Sequence, residues 1–540
     1  MPPMCAQPRG RFVNAMDAGG HTASGKLEGL LITTTVPAPW ARAREVSRST
    51  GVQLALLLLI HVLLWTWSGV ASRSNLDLPG DMVEAYVWGQ GWQWGYFKHP
   101  PLSAWVAGLW FAVMPQSHLG YSLLSAVNCA VGLLGLAVLA REFLPRPWVL
   151  LVVAVASLTP GLSTLAMRFN ANAILVSSWP WAMAFFVRWM QHGRRRDALL
   201  CGVSCALAVL GKYYSGVLLL TFLGAALWHP GWRQRLRQRQ ALWAALAFAA
   251  CVAPHLLWLL QQSHGPLQYA QAASGQGDRA SAVIRAWHFA MVMCIYPVLA
   301  WVILALALRG PRRAQALWQA ATAVLRPRNE PTWLLAALPI IATMLATVLV
   351  SARTATVWGL PISAGLALLS VHRAREAGAQ LSLERLWRAM GWIWLVVALS
   401  APAWWMARAQ DRDPTVTEPR EELALAVARS WQEEFGKPLP WVSGSRALAQ
   451  SVAFYAPERP RYWSFWNPSV ETPWVESDRV MRDGGAIVCA AEDLACQELA
   501  QAWSPLPYVV QVAKQAHGQA FAPSSYKVYW VSPGDSFRSL

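Results

Sequence analysis

Charge is scarce in this chain. Of its 540 residues only 14% are Asp, Glu, Lys or Arg, where a soluble protein of this size carries nearer a quarter. That shortage excludes an ordinary string of soluble domains. No cleavable signal peptide is expected: residues 1–50 are polar and rich in Gly, Ala and Arg, and the first apolar run opens near residue 51, late for one. There is no internal repeat and no low-complexity tract. Cysteines number eight, five of them in apolar spans, one in the tail and two in the C-terminal region. Cys201 and Cys205 are four apart in an apolar run, which argues against a metal site there. The net charge of +17 invites nucleic acid. Its distribution excludes that partner, because the basic residues sit in short segments between apolar runs, such as "RRR" at 194–196 and "RQRLRQR" at 233–239.

What is abundant is apolar: 55% of residues are hydrophobic and 33 are Trp. Runs near 20 residues long recur, the signature of a polytopic helical membrane protein. Candidate spans are 51–72, 118–140, 148–168, 173–190, 197–211, 213–228, 241–260, 286–308, 332–350, 355–371 and 390–408. With residues 1–50 read as a disordered cytoplasmic tail (or an over-called start), every loop after an even-numbered span is basic. One orientation thus satisfies the positive-inside rule throughout. The opposite face receives the first loop (73–117), "MRFNAN" (167–172), "GKYY" (211–214), residues 261–285, "SARTATVWG" (351–359) and everything after about 409. In the first loop "LSAWVAGLWFAVM" is too short to span and is expected to lie in the interface, with Trp105 and Trp110 at headgroup level.

Residues 409–540 change character. "EELALAVARSWQEEFG" has helical periodicity, and "PLPWVSG", "GGAIVCA" and "SYKVYWVS" read as strands, so a soluble α/β or α+β domain is expected on the outer face. It holds Cys489 and Cys496, a disulfide candidate in an oxidising compartment.

The chemistry concentrates where the first apolar run ends, in "LPGDMVEAYVWGQGWQWGYFKHPPLSAW" (78–105). Asp81 and Glu84 would share a helix face. Glu84 reads equally as a solvated loop carboxylate. Lys98 and His99 precede a rigid Pro-Pro, and Lys98 could simply snorkel to headgroups. Lys212 stands between apolar runs, where an unpaired charge is costly, and Arg353 lies in a short outer loop. Lysines and an arginine on one membrane face, with a carboxylate, suit a phosphorylated lipid: the cations hold phosphate oxygens and the carboxylate takes a proton from an incoming hydroxyl or amine.

The same stretch resembles the first outer loop of bacterial membrane glycosyltransferases of family 39. These are GT-C-fold relatives of the dolichyl-phosphate-mannose protein mannosyltransferases and of the aminoarabinose transferase of lipid A. Their pattern is an Asp-Glu pair, an aromatic stretch, then Gly-Tyr-Phe and a basic residue before Pro-Pro. Counting back from Gly95 puts Asp81 on the family's Asp, while Met82 stands in place of its Glu, with Glu84 as a substitute. "RFNANAILVSSWPWAMAFF" is similar to the family's second outer loop, with Asn170 and with Asn172 where relatives often carry Asp. "LGKYYSG" and "TATVWGLP" resemble later segments, so the matches run over roughly 75–360.

The resemblance implies sugar transfer from a polyprenyl-phosphate donor to an acceptor outside the cytoplasm, at a bacterial inner membrane. Asp81 would be the base, with Lys98, His99, Lys212 and Arg353 on the lipid phosphate; His99 matches a position where the aminoarabinose transferases carry a phosphate-contacting Lys. No cofactor is implied with certainty, and one confident carboxylate is a poor ligand set for a divalent metal. A transporter or lipid flippase is the competing class, though it does not explain the outer domain together with the carboxylate–aromatic–His-Pro-Pro loop; a non-catalytic scaffold is a third, for which Met82 and Asn172 would count as signs of lost activity. Paired halves with broken helices, frequent in transporters, are not evident.

Overall fold

The computed structural model describes residues 39–534 apart from 263–264, 267 and 270–277, with side chains from Ser49 onward. The chain divides into two units, 1–47 and 48–540. Of the first, only helical backbone from Pro39 is described, so the expected tail lies outside the described residues up to 38, and the helix begins ahead of residue 51.

All eleven expected spans coincide with helices. In chain order these are α1 (Pro39–Ala71), two short helices α2 (Asp81–Gly91) and α3 (Leu102–Val113), then α4 (His118–Ala140), α5 (Arg146–Ala156), α6 (Ile174–His192), α7 (Arg195–Gly211), α8 (Gly216–Trp228), α9 (Pro230–Leu236) and α10 (Arg239–Gln261). After the partly described 262–278 come α11 (Arg279–Ile295), α12 (Val298–Ala307), α13 (Arg313–Ala321), α14 (Pro331–Val350), α15 (Ile362–Glu376) and α16 (Leu383–Gln410). Six apolar stretches are long enough to cross a membrane, in α1, α4, α10, α11 with α12, α14 and α16, which makes this a multi-span membrane protein. Four expected spans are reshaped by local chemistry, the 213–228 run opening with a 3₁₀ turn, Tyr213–Ser215, before α8. The 148–168 run leaves the α-helix after Ala156 and turns through Pro160–Leu162. The 286–308 run breaks at Pro297, whose ring cannot continue the hydrogen-bond ladder. The 355–371 run opens with a 3₁₀ turn, Thr356–Gly359, before α15.

In the centre α4 packs on α6, α6 on α7 and α7 on α10, through fully buried residues such as Leu133, Trp179 and Ala206. The Cys201 and Cys205 sulfurs touch at 4.0 Å within α7. α3 is 12 residues long, about 18 Å at 1.5 Å per residue, too short to span. Its two tryptophans are held by carbonyls: Trp105 Nε1 donates to Gln93 O at 2.9 Å and Trp110 Nε1 to Gly120 O at 3.0 Å.

After α16 comes the mixed domain expected from composition. It contains α17 (Arg420–Phe435), β1 (Trp441–Gly444), α18 (Arg446–Tyr455), β2 (Arg461–Tyr462), β3 (Gly485–Ala490), α19 (Leu494–Gln501), β4 (Tyr508–Val512) and β5 (Ser524–Val531). The sheet order is β2-β1-β3-β5-β4. β1 runs parallel to β2 and β3, and β5 antiparallel to β3 and β4. Cys489 on β3 and Cys496 on α19 form a disulfide, Cα atoms 5.7 Å apart. This domain grips the first outer loop. Phe454 of α18 meets Tyr86, Phe111 and Tyr121 edge-on or tilted at 5.1–5.6 Å. Buried Arg420 donates to Asp77 O at 2.9 Å and Leu78 O at 3.1 Å.

Candidate functional site

α2 sets the geometry. Gly80 takes a left-handed turn (φ 83°) just ahead of it, and a Cβ there would lie 2.8 Å from Ala447 Cβ of the outer domain. Asp77, almost fully buried, accepts from the Met82 amide at 3.1 Å and so satisfies one free N–H of the first helical turn. Burial and the neighbouring Asp81 push the Asp77 carboxyl above its usual range. Asp81 is the first residue of α2. Its side chain is exposed and has no hydrogen bond or ion pair among the described residues, while its charge is felt by Glu84 and Lys212.

Glu84 sits on the buried side of the same turn. Lys98 Nζ lies 2.7 Å from Glu84 Oε1 in a shielded ion pair. Burial pushes the Glu84 carboxyl up to about 7 even with Lys98 opposing. Glu84 therefore stands as the partner of Lys98, and Asp81 alone presents a carboxylate outward. His99 is packed edge-on against Trp88 at 6.1 Å. Burial, with Lys212 and Lys98 adding, lowers it to about 3, so near neutral pH it offers the site a neutral imidazole.

Lys212 comes from the break between α7 and α8. Its Nζ donates to Asn172 Oδ1 at 2.5 Å and lies 5.0 Å from the centre of the Trp358 ring, a cation–π contact from the Thr356–Gly359 turn. Burial lowers Lys212 to about 8, with Asp81 opposing. Asn172 is thus a lysine-positioning group. Asn170 is structural: its Oδ1 accepts from the Asn172 and Ala173 amides at 2.8 and 3.1 Å, shaping the entry to α6. The sequence-predicted residues Asp81, Glu84, Lys98, His99, Asn172 and Lys212 are brought together. Arg353 is not tied in: it is exposed, without a hydrogen bond or ion pair among the described residues.

Three contributors escaped the sequence reading. Asp77 precedes a Leu-Pro-Gly turn, the one local hint of a cap. Arg446 on α18 feels the Glu84 charge, pairs with Glu471 and lies 6.0 Å from the Phe97 ring centre. Trp474 meets Tyr96 edge-on at 5.5 Å. Both come from the outer domain, and nothing local marks them.

The donor set does not fit a divalent cation. Glu84 faces Lys98 and Asn172 faces Lys212, which leaves Asp81 and the largely buried Asp77, already capping the Met82 amide, whereas such ions take several oxygens. Elsewhere Glu330, His372 and Glu376 bring ligand atoms within 4.8 Å of one another. Arg373, 2.8 Å from both carboxylates, makes that cluster an ion-pair network.

A bundle of membrane helices, a charged first outer loop built on two short helices, and a mixed-sheet domain clamped over that loop together define a GT-C-type membrane fold. Comparison with known proteins gives the same class. Residues 98–258 match the family model of dolichyl-phosphate-mannose-protein mannosyltransferase, a stretch that takes in Lys98, His99, Asn170, Asn172 and Lys212. The fold is similar to that of ArnT from Cupriavidus metallidurans bound to undecaprenyl phosphate, with TM-score 0.58 and 14% identity over 89% of this chain and 98% of that one. The apo form of the same protein gives 0.58 and 14% over 90% and 98%. The Archaeoglobus fulgidus oligosaccharyltransferase in its apo form matches at TM-score 0.40 and 12% identity, over 85% of this chain and 69% of that one. No curated protein sequence matches.

Proposed function

We propose that this protein is a membrane glycosyltransferase that moves a sugar from a polyprenyl-phosphate carrier to an acceptor on the outer face of a bacterial inner membrane. The reading rests chiefly on one observation: the unpaired Asp81 carboxylate opens α2 within electrostatic reach of Lys212, whose charge in turn reaches His99 beside the Lys98–Glu84 pair. ArnT, the structure of similar fold, is bound to undecaprenyl phosphate, which supports a donor of that kind.

In this reading Asp81 takes the proton of an acceptor hydroxyl or amine as that atom attacks the anomeric carbon. The bond from sugar to phosphate breaks, and the lipid phosphate leaves with its electron pair. Lys98 and Lys212 hold that phosphate as charge builds on it, and the neutral His99 ring adds one N–H donor. Arg353 is assigned to the same phosphate from the outer loop that carries Trp358. Asp81 is open to an acceptor because no cation lies within hydrogen-bond reach of it among the described residues, whereas Glu84 is occupied by Lys98. The acceptor can be lipid, glycan or protein, and no step needs a metal.

The test is mass spectrometry of envelope lipids and glycans from cells lacking the protein, complemented with wild type or with Asp81→Asn at equal membrane levels. A sugar modification lost in the deletion and restored only by wild type is the expected result, with transfer by Asp81→Asn down at least about a hundredfold. Full restoration by Asp81→Asn would overturn the assignment and bring the transporter reading forward.

A further inference from the structure

A second charged cavity lies beside the first loop. It has a volume of 340 Å³ and shares no lining residue with the cluster of Asp81, Glu84, Lys98, His99, Asn172 and Lys212. Three guanidiniums line it: Arg73 just past α1, Arg168 in the second outer loop and Arg408 near the end of α16. The compensating acids are few. Asp77 lines the same space, and Asp413 reaches Arg408 at 3.8 Å.

Arg73 is fixed in place by carbonyls. It donates to Leu76 O and Met167 O, both at 2.9 Å, and to Gly69 O at 3.4 Å, but has no carboxylate in ion-pair range. Arg168 is exposed and forms no hydrogen bond or ion pair among the described residues. Burial and the charges of Arg168 and Arg408, with Asp77 opposing, lower Arg73 to about 10. Thr415, also on the wall, holds a buried hydroxyl oxygen with no hydrogen-bond partner. A hydroxyl left so is costly unless something fills the space.

Apolar side chains from two spans, Trp65 on α1 and Val397, Ala401 and Trp404 on α16, form one wall, while Ser68, Ser72, Thr164 and Ser400 add hydroxyls. Their neighbours Val396 and Leu399 are 63% and 67% exposed, and Trp404 itself 60%, as expected of a surface that faces acyl chains. A cavity with cations at its outer end and a greasy wall running down two spans suits an amphiphile with an anionic head.

We propose that this cavity seats the phosphate of an anionic membrane lipid, distinct from the polyprenyl-phosphate donor, between Arg73, Arg168 and Arg408, with its acyl chains along Trp65 and Trp404. This goes beyond the transferase reading and does not depend on it. The phosphate takes charge-assisted bonds from Arg168 and Arg408, relieves the repulsion among the guanidiniums, and accepts from the Thr415 hydroxyl.

The experiment is native mass spectrometry of the purified full-length protein in detergent, titrated with phosphatidylglycerol, phosphatidylcholine or inorganic phosphate. Wild type is expected to retain one phosphatidylglycerol in preference to phosphatidylcholine. The Arg168→Gln, Arg408→Gln protein should retain it roughly tenfold less well, while Arg168→Lys keeps most of the binding. Lys98→Gln, outside the cavity lining, should leave retention unchanged, so failure of the transferase assignment would not be mistaken for failure of this one. Equal retention of both lipids, or undiminished retention by the double variant, overturns the proposal. Displacement of the lipid by millimolar inorganic phosphate would show a free-anion site instead. Should the double variant unfold, Arg168→Gln alone, at an exposed position, gives the same reading.

Discussion

Glu84 and Lys98 carry a pH dependence whose sign follows from their surroundings. At pH 8 Glu84 is ionised and holds Lys98; as pH falls through about 7 it takes a proton, and the Lys98 charge is no longer opposed. Lys212, near 8, gains its proton over the upper part of the same range, whereas His99, near 3, stays neutral. A sugar phosphodiester keeps a single charge throughout. Affinity for a non-transferable polyprenyl-phospho-sugar analogue should therefore rise by about tenfold from pH 8.5 to pH 6. In Glu84→Gln only the component centred near 8 should remain, read by titration calorimetry at stepped pH. Identical profiles for the two proteins would show that Glu84 does not gate Lys98. Stability carries the same sign. Glu84 is raised above its ordinary 4.5, so its contribution is fully present below that value and lost as pH rises through about 7. At this scale the sequence was readable where the chemistry is local: a lysine stranded between two apolar runs, an aspartate at a helix start. It was silent on Arg446, whose charge gains its role from Glu84 hundreds of positions away, and marked Asp77 only through the Leu-Pro-Gly turn that follows it.

Elements are decided by backbone approach as much as by hydropathy. α2 and α3 cross at Gly89 and Gly108, where a Cβ on Gly108 would sit 2.8 Å from the Gly89 carbonyl oxygen and a Cβ on Gly89 2.6 Å from the Ala104 carbonyl oxygen. Only hydrogens fit in that contact. Gly108→Val must push the two helices apart, costing about 1–3 kcal/mol. It would also carry Asp81 and Glu84 on α2 away from Lys98, which lies between the helices in sequence. Thermal unfolding in detergent should drop by several degrees, and transfer by more than the loss of folded protein explains. An unchanged melting curve would mean that the two helices do not depend on this crossing. Hydropathy put a helix in every expected span because a long apolar run leaves few alternatives, and six of the resulting stretches are long enough to cross a membrane. It misplaced the ends near residues 160, 297 and 356 because a proline or a 3₁₀ turn can break a helix inside an apolar run without changing its average polarity.

For the whole molecule, the decisive joint is between the first outer loop and the C-terminal domain. The shift in composition after residue 409 announced that domain, and its helix and three of its strands were visible in the periodicity. Its docking was not, since interface contacts have no period. Arg420 carries much of it. The guanidinium is buried, held by Glu418 at 3.0 Å, and spends two N–H groups on the carbonyls of Asp77 and Leu78, the residues that lead into the Gly80 turn and hence into Asp81. Removing the side chain leaves those buried carbonyls unpaired, a loss of about 2–4 kcal/mol in docking. Arg420→Ala should thus free the segment around 411–420 for limited proteolysis and lower transfer at least about tenfold, while the membrane domain stays folded by its helical circular dichroism. Arg420→Lys, which keeps the charge but loses the two-pronged geometry, should fall between. If Arg420→Ala is as protease-resistant and as active as wild type, the outer domain does not hold the Asp81 turn, and α2 is positioned by the membrane domain and the Asp77 cap alone.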